Sequence, residues 1–545
     1  MLIKIKTYMQ EKTVYEWLES NNISKPYSER PQVDNHKHNC LGCSCEGRGW
    51  EAFRIFIETQ LKRLLRLLTF FQTQKYFAHN ENDNDIYKGD GIKSDEGDYI
   101  QNLGHATQLL RMNGTTILTD PVFANLNWLL YPSKTRPGLT VNELPAIDVI
   151  MISHNHRDHV DESSIKELIN KYPDMKVFVP EGDRKLFVEL GFKPQNVFPS
   201  EWYSSIVIAK ENGNPKTKVY LPEELILKFR QQINDDLKSG QNWWDKKFGD
   251  QRNFQTEADE RTQDYDKISL QPNEDKVQIT ALPSKHWSGR NGLDNGESAT
   301  NGWIVSGKNK VSYFAGDTAM MNNNTIKQIS GQIYEKLPVD FFVSTDKKVD
   351  LLLPDGPNYT RSHMEGTHMS IVDGLKMSLN IAKNLRDIRK YMGGQKDQIT
   401  TQYWLDRCNI VMIHHNKYEL GPDRFNEGCW VMKEVLKPAL SSLDDRSLDD
   451  AKRILTDKEN AENAKWSVFL RKNNDWVYKG LKELMESVEE ILTTENNGQK
   501  ATLTDVKAFI EKHIDSIKNP KIGERIEYGN DEKVTSFKSI VDGYE

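Results

Sequence analysis

The sequence has few of the features that mark extracellular, membrane-spanning or nucleic-acid-binding proteins. It contains 5 cysteines in 545 residues, too few and too unevenly placed for a disulfide scaffold. It has no run of about 18 uncharged apolar residues, so we expect no transmembrane helix, and its start lacks the apolar segment of a secretory signal. The net charge is −7, so no overall positive field attracts nucleic acid. These absences favour a cytoplasmic protein, with peripheral membrane contact as the alternative.

Length and composition predict a large folded core with additional polar segments. Hydrophobic residues make up 37% and charged residues 28% of the chain, so we expect several domains or one large domain with insertions. Short apolar runs separated by turns begin only near Tyr99. Residues 1–97 are therefore predicted to form an N-terminal extension.

Two features of this extension have alternative interpretations. Residues 1–49 are predicted to be irregular, and they include a tract of potential zinc ligands: His36, His38, Cys40, Cys43 and Cys45. The tract matches no standard zinc spacing, so a tail with free thiols is favoured over a structural zinc site. In residues 50–77, apolar side chains recur at three- and four-residue steps with basic residues between them, which predicts an amphipathic helix. Packing on the core is its favoured role, and lying on an anionic bilayer is the alternative.

The densest group of metal-binding side chains follows an apolar run that ends at Ile152. The stretch His154–His159 contains three histidines and an aspartate within six residues, and these ligand types suit zinc. The spacing differs from that of two histidines on one helical face. We therefore expect a loop that turns His154 and His156 towards one ion, and Asp158 and His159 towards a second. A polar surface loop is the alternative, but packing alone seldom requires so many ligand types together.

Three later apolar runs, each predicted to be a strand, lead into further potential ligands. Residues 277–282 precede His286, residues 311–315 precede Asp317, and residues 410–413 precede His414 and His415. Earlier in the chain, an Asn-Gly turn between two apolar runs predicts a hairpin over residues 109–118. Alternating strand and helix patterns follow over residues 147–190. Together these patterns favour a layered α/β fold with ligands at the ends of several strands.

These motifs resemble the metallo-β-lactamase superfamily, whose signature is a His-x-His-x-Asp-His loop followed by a histidine, a bridging aspartate and a final histidine. The sequence resembles the N-acyl-phosphatidylethanolamine-hydrolysing phospholipase D branch more closely. Five segments carry that likeness: Leu103–Thr107, Leu118–Phe123, Glu143–Pro145, Ser284–Trp287 and Phe314–Thr318. The resemblance covers about residues 98–420 and implies a four-layer αββα sandwich over a hydrolase domain of residues 98–430. A polar insertion at about 203–273 and a helical C-terminal extension at 431–545 depart from the family pattern.

The resemblance also implies a ligand set for two zinc ions. His154, His156 and His286 would hold the first ion, Asp158, His159 and His414 the second, and Asp317 would bridge them. His415 is a rival of His414, which is preferred because it comes first after the strand.

Three further roles are expected at this site. His368 matches a family active-site histidine outside the metal ligands, which implies substrate orientation or proton transfer. Asp158 is also expected to guide the proton of the attacking water. His105 is expected to pack beneath the site without binding metal.

The implied activity is hydrolysis of a phosphodiester, with a phospholipid as the substrate and release of its head-group alcohol. A metal-activated hydroxide would attack phosphorus. A lactonase or other carbonyl hydrolase is the alternative, because related branches use the same ligands. A nuclease is a further alternative, which the acidic charge and the lack of a basic stripe count against. The insertion could be a lid, an oligomer contact or a tolerated surface excursion.

Overall fold

The computed structural model describes most of the predicted hydrolase domain and much of the C-terminal extension. The described residues are 13–23, 97–124, 137–210, 217–239, 261, 265–267, 276–290, 294, 296–338, 341–342, 347–354, 366–393, 399–414, 431–455, 475–518 and 524–528. The His/Cys tract at 36–45, the predicted helix at 50–77 and His415 lie outside these ranges. Within them, no helix combines the length and apolar composition needed to cross a bilayer.

The strands of the described residues form two sheets. The first sheet contains β1 (Asp98–Gly104), β2 (Thr107–Met112), β3 (Thr115–Thr119), β4 (Val149–Met151), β5 (Lys176–Pro180), β6 (Val197–Ser200) and β16 (Arg525–Tyr528). The second sheet contains β7 (Ser205–Lys210), β8 (Thr217–Leu221), β9 (Tyr265–Lys267), β10 (Lys276–Pro283), β11 (Asn301–Ser306), β12 (Val311–Phe314), β13 (Val349–Pro354), β14 (Cys408–Ile413) and β15 (Ile517–Lys518). Their spatial orders are β16-β1-β2-β3-β4-β5-β6 and β15-β14-β13-β12-β11-β10-β7-β8-β9.

The helices lie before, between and after these strands. The α-helices of the described residues are α1 (Val14–Ser20), α2 (Glu162–Lys171), α3 (Arg184–Leu190), α4 (Glu223–Ser239), α5 (Asn323–Glu335), α6 (Ile371–Tyr391), α7 (Thr401–Asp406), α8 (Lys437–Ser441), α9 (Leu448–Ile454), α10 (Asp475–Glu495) and α11 (Leu503–Ser516). Short 3₁₀ turns occupy Val141–Glu143 and Pro194–Asn196, and a π-helical segment occupies Met432–Leu436.

The two sheets pack face to face, with helices on both outer sides. Strand β4 illustrates the layering, because successive side chains of a strand point to opposite faces. Val149 and Met151 join an apolar cluster between the sheets, together with Trp303 of β11. Ile150 points the other way and joins a cluster with α2 and α3. A third cluster joins the outer face of the second sheet to α5, α6, α10 and α11. The predicted αββα metallo-β-lactamase sandwich is confirmed.

Strand direction brings the ligand-bearing loops to one edge. Strands β3, β4 and β5 are parallel in the first sheet, and β12, β13 and β14 are parallel in the second. Strand β10 runs in the direction of β12, because both pair antiparallel with β11. Two hydrogen bonds join the sheets at this edge, from Trp303 Nε1 to Ile152 O at 3.0 Å and from Asn301 N to Ser153 O at 2.8 Å. The loops after β4, β10, β12 and β14 therefore meet.

The sequence predicted the local elements around these loops well. The hairpin of β2 and β3 turns at Asn113 and Gly114, whose φ angles are 48° and 74°, as a tight Asn-Gly turn requires. The predicted helices correspond to α2 and α3, and to the helices of the C-terminal extension.

The irregular structure predicted for residues 1–49 was wrong for Val14–Ser20. These residues form α1, which begins with a capping box between Thr13 and Glu16. Trp17 and Leu18 of α1 are buried in an apolar cluster with Ile388 of α6. This part of the extension is therefore docked on the helices that cover the second sheet.

The insertion and the C-terminal extension both add strands to the sandwich. The predicted insertion contains β7, β8, α4 and β9, and its three strands continue the second sheet beyond β10. Phe229 of α4 packs on Phe198 of β6, with ring centroids 5.5 Å apart. After the predicted helices of the extension, β15 pairs with β14 and β16 pairs with β1. The C-terminal extension thus contributes one strand to each sheet, β15 to the second and β16 to the first.

Candidate metal centre

All seven predicted ligands meet where the four loops converge. His154, His156 and His286 form one group, in which Nδ1 of His156 lies 2.8 Å from His154 Nε2 and 3.3 Å from His286 Nε2. Asp158, His159 and His414 belong to a second group, with Nε2 of both histidines 3.7 Å from Asp158 Oδ2.

Asp317 lies between the two groups. Its Oδ2 is 3.2 Å from His159 Nε2, 3.1 Å from His414 Nε2 and 3.9 Å from His286 Nε2. This is the position that a bridging ligand requires.

A buried carboxylate that sequence analysis left without a role orients two of these histidines. Asp120 follows β3, and its Oδ2 accepts hydrogen bonds from His159 Nδ1 at 2.7 Å and from Ser153 Oγ at 2.6 Å. Ser153 Oγ lies 2.9 Å from His154 Nδ1 and, having given its proton to Asp120, accepts the Nδ1–H of His154. Nδ1 of both imidazoles is thereby occupied, and Nε2 is the nitrogen left for a metal, which is the usual arrangement of a metal-binding histidine.

His286 is oriented in the same way by a main-chain carbonyl. Its Nδ1 donates to Thr367 O at 2.8 Å, which leaves Nε2 for the first group. His368 follows Thr367 in the chain, and its Nδ1 lies 3.7 Å from Asp317 Oδ2. The ring centroids of His368 and His286 are 4.8 Å apart. The predicted active-site histidine therefore lies beside the ligands. Trp287 packs against His156 at a centroid distance of 4.0 Å.

The donor atoms fit divalent cations. Asp317 Oδ1 is buried and forms no hydrogen bond within the described residues. Leaving a buried polar atom unpaired costs about 1–3 kcal/mol, and a bound cation removes that cost. Three imidazoles in one group, and two imidazoles with carboxylates in the other, are donor sets that zinc accepts.

The electrostatics of the two groups differ. Burial lowers the pKa of His156 to about 3, and burial likewise holds the pKa of His154 well below its usual value. Burial also lowers the pKa of His414, but Asp317 and Asp158 outweigh it and raise the pKa to about 9. In the metal-free protein the first group is therefore neutral, whereas the second carries protons that a metal must displace.

Three residues at this site have a left-handed backbone conformation. His105, Asp120 and His414 have φ angles of 55°, 34° and 67°, in a region that costs a residue other than glycine about 1–3 kcal/mol. Gly316 also has a positive φ, of 60°, and a Cβ atom there would lie 2.5 Å from Ser153 Cβ. Only glycine fits immediately before Asp317.

A second network that sequence analysis missed holds the loop after β4 from outside. Asn155 donates to Asp183 Oδ1 at 2.8 Å and to Ser298 Oγ at 2.9 Å. The side chain of Arg290 donates to Asn155 O and Val160 O, both at 3.0 Å. The loop that carries four ligands is therefore tied to the segment that follows His286.

Comparisons with known proteins agree with this arrangement. A family model for the beta-lactamase superfamily domain matches residues 99–333. N-acyl-phosphatidylethanolamine-hydrolyzing phospholipase D 1 of Caenorhabditis elegans is 27% identical over 234 residues, 42% of this chain and 49% of that protein. The mitochondrial N-acyl-phosphatidylethanolamine-hydrolyzing phospholipase D of Saccharomyces cerevisiae is 31% identical over 113 residues, 20% of this chain and 24% of that protein. The match thus spans about half of the first relative's length and about a quarter of the second's.

Among solved structures, the chain also matches an isothiocyanate hydrolase from Delia radicum gut bacteria. It is 16% identical, with a TM-score of 0.35, and the match covers 62% of this chain and 92% of that one. From the family match and from the fold and ligand geometry described above, this chain resembles the metallo-β-lactamase superfamily and, within it, the N-acyl-phosphatidylethanolamine-hydrolysing phospholipase D branch.

Proposed function

We propose that this protein is a metal-dependent hydrolase that cleaves a phospholipid phosphodiester on its head-group side. The observation that carries the proposal is the convergence of seven ligands into two groups that share Asp317. The curated relatives named as phospholipases D support the substrate class. The products would be phosphatidic acid and the head-group alcohol.

The metals of this proposal are two zinc ions. His154, His156 and His286 would hold one ion, Asp158, His159 and His414 the other, and Asp317 would touch both. Such a pair supplies Lewis acidity towards a phosphoryl oxygen and towards a water nucleophile. A phosphodiester anion, with two non-bridging oxygens, fits between two cations better than a neutral lactone does.

The protein's own groups would position the reactants. Burial holds the pKa of His368 well below its usual value, so its imidazole is neutral at pH 7. Its position 3.7 Å from Asp317 places it beside both ligand groups. We assign it to orienting the phosphate or to relaying a proton, which it would accept from the attacking water before giving it to the leaving oxygen. Asp158 has a side chain 18% exposed, so it can also accept a hydrogen bond from the attacking water.

The test is head-group release by the purified, zinc-loaded full chain from a panel of phospholipids that includes N-acyl-phosphatidylethanolamine. A lactone and an RNA serve as alternative substrates. Asp317→Asn should abolish turnover. Asp174→Asn is the matched control, because Asp174 is 64% exposed and pairs with a surface lysine, Lys193. Lactone turnover that exceeds diester turnover by a wide margin would reject the proposal in favour of the lactonase.

Contact with a membrane surface is a separate part of the proposal, and it rests on the sequence of residues 50–77. If this segment lies on anionic lipid through its basic residues, its deletion should weaken liposome binding and leave hydrolysis of a soluble diester intact. Added salt should weaken the binding of the full chain, because it screens surface charges. A deletion that unfolds the protein would instead support packing of this segment on the core.

A further inference from the structure

We propose that His105 is a positioning residue of the second ligand group, in which it holds the Asp158 carboxylate in place for its metal. The sequence suggested that His105 only packs beneath the site. The inference rests on the two-metal site of the proposed function, but it concerns metal affinity rather than the substrate.

The side chain of His105 contacts the carboxylate of Asp158 directly. His105 Nε2 lies 3.2 Å from Asp158 Oδ2, a hydrogen-bond distance, and the His105 side chain is 2% exposed. The same carboxylate oxygen is 3.7 Å from Nε2 of both His159 and His414. His105 therefore contacts the oxygen that the second group shares.

The backbone conformation of His105 fixes the position of its imidazole ring. His105 lies in the short turn between β1 and β2 and has a positive φ of 55°. Its carbonyl accepts the main-chain N–H of His414 at 3.0 Å, and the two rings pack with centroids 4.0 Å apart. A strained residue thus ties the second group to the first sheet through its main chain and its side chain.

The number of other donors in the second group indicates that His105 positions Asp158 and does not bind the metal itself. Asp158, His159, His414 and Asp317 already offer four donors, and a fifth from His105 would leave no position for the attacking water. We therefore assign the Nε2–H tautomer to His105, which donates to Asp158. Hydrogen-bond partners of metal ligands typically change metal affinity about 10- to 100-fold when removed.

The experiment is a zinc titration of the chelator-stripped full chain against a competing chromophoric chelator. Three variants separate the roles of the side chain. His105→Gln keeps an amide donor near the position of Nε2, whereas His105→Asn keeps an amide that is too short to reach Asp158. His105→Ala removes the donor, and Asp158→Ala serves as the reference with a disabled second site. Thermal unfolding of each metal-free variant reports its folding separately.

The inference predicts second-site affinities about 10- to 100-fold weaker for His105→Ala and His105→Asn, with affinity largely restored in His105→Gln and the first site unchanged. Unchanged second-site affinity in all three variants would overturn it. If His105→Gln and His105→Ala weaken the zinc affinity of the second site equally, the inference is also overturned, and His105 binds the metal directly. Parallel losses at both sites with lowered unfolding temperatures would indicate a purely structural role. None of these results depends on phospholipid turnover, so the proposed function can fail separately.

Discussion

Replacing Asp120 by asparagine should weaken metal binding although Asp120 is not one of the proposed ligands. The carboxylate accepts three hydrogen bonds, from Ser153 N at 2.7 Å, Ser153 Oγ at 2.6 Å and His159 Nδ1 at 2.7 Å. An asparagine amide has one oxygen. The asparagine side chain can lie in two orientations. In one its NH₂ group faces the main-chain N–H of Ser153, and in the other it faces Nδ1–H of His159, so one pair of donors opposes each other in either case.

The size of the effect follows from the tautomers that Asp120 controls. When an amide NH₂ group faces Nδ1 of His159, the imidazole moves its proton to Nε2 and cannot bind metal there. His154 is affected through Ser153, so both metals should bind about 10- to 100-fold more weakly, or about 1.4–2.7 kcal/mol each. The same buried substitution should also destabilise the metal-free fold.

A matched control exists in the same sheet. Asp148 is also a buried aspartate, and it accepts hydrogen bonds from Thr116 N at 2.9 Å and Thr217 Oγ1 at 3.1 Å. It precedes β4, whereas the ligand loop follows β4. Zinc competition titrations should therefore show weakened binding in Asp120→Asn and unchanged binding in Asp148→Asn. Wild-type affinity at both sites of Asp120→Asn would refute the tautomer argument.

Three other changes test separate parts of the account. His368→Ala should lower turnover while metal analysis still returns both ions, and loss of an ion would show that His368 is a ligand. Gly316→Ala should reduce metal content and lower the unfolding temperature, because its Cβ would overlap Ser153 Cβ; a variant with wild-type stability would contradict the close packing. Burial lowers the pKa of His513 to about 4, so its neutral form stabilises the fold above pH 6.5, and that contribution is lost as the pH falls towards 4. Denaturant unfolding should show that the wild type loses about 2 kcal/mol more than His513→Gln between pH 7 and pH 5, and equal losses would contradict this role.

The convergence of the proposed ligands was predictable because each lies after an apolar run that is long enough to be recognised as a strand. Parallel strands place their carboxyl ends at one edge, so a ligand after each of several strands implies convergence. The structure confirms this convergence for His286, Asp317 and His414. The family resemblance then divided the ligands between two ions.

The partners of the ligands were not predictable from local patterns. Asp120 and His159 are 39 residues apart, and His105 and Asp158 are 53 apart, so no local spacing reports either pair. The Asp120-Pro121 and Gly104-His105 motifs were visible as parts of the family likeness, but Asp120 was given no role and His105 was expected only to pack beneath the site.

Short elements were missed for a different reason. Helix α1 has 7 residues and β15 has 2, too few for a periodic pattern to be distinguished from chance. The capping box of Thr13 and Glu16 was the available signal for α1. Strands β15 and β16 are defined by their pairing with β14 and β1, which depends on tertiary structure rather than on local preference.

Metal content tests the central claim most directly. The full chain, equilibrated with zinc and freed of excess metal, should contain about two zinc ions by elemental analysis. Asp317→Asn should lose much of that content together with its activity, because Oδ2 of Asp317 lies 3.2 Å from His159 and 3.9 Å from His286. A metal-free preparation with full activity, or an Asp317→Asn variant that retains both ions, would contradict the two-metal account.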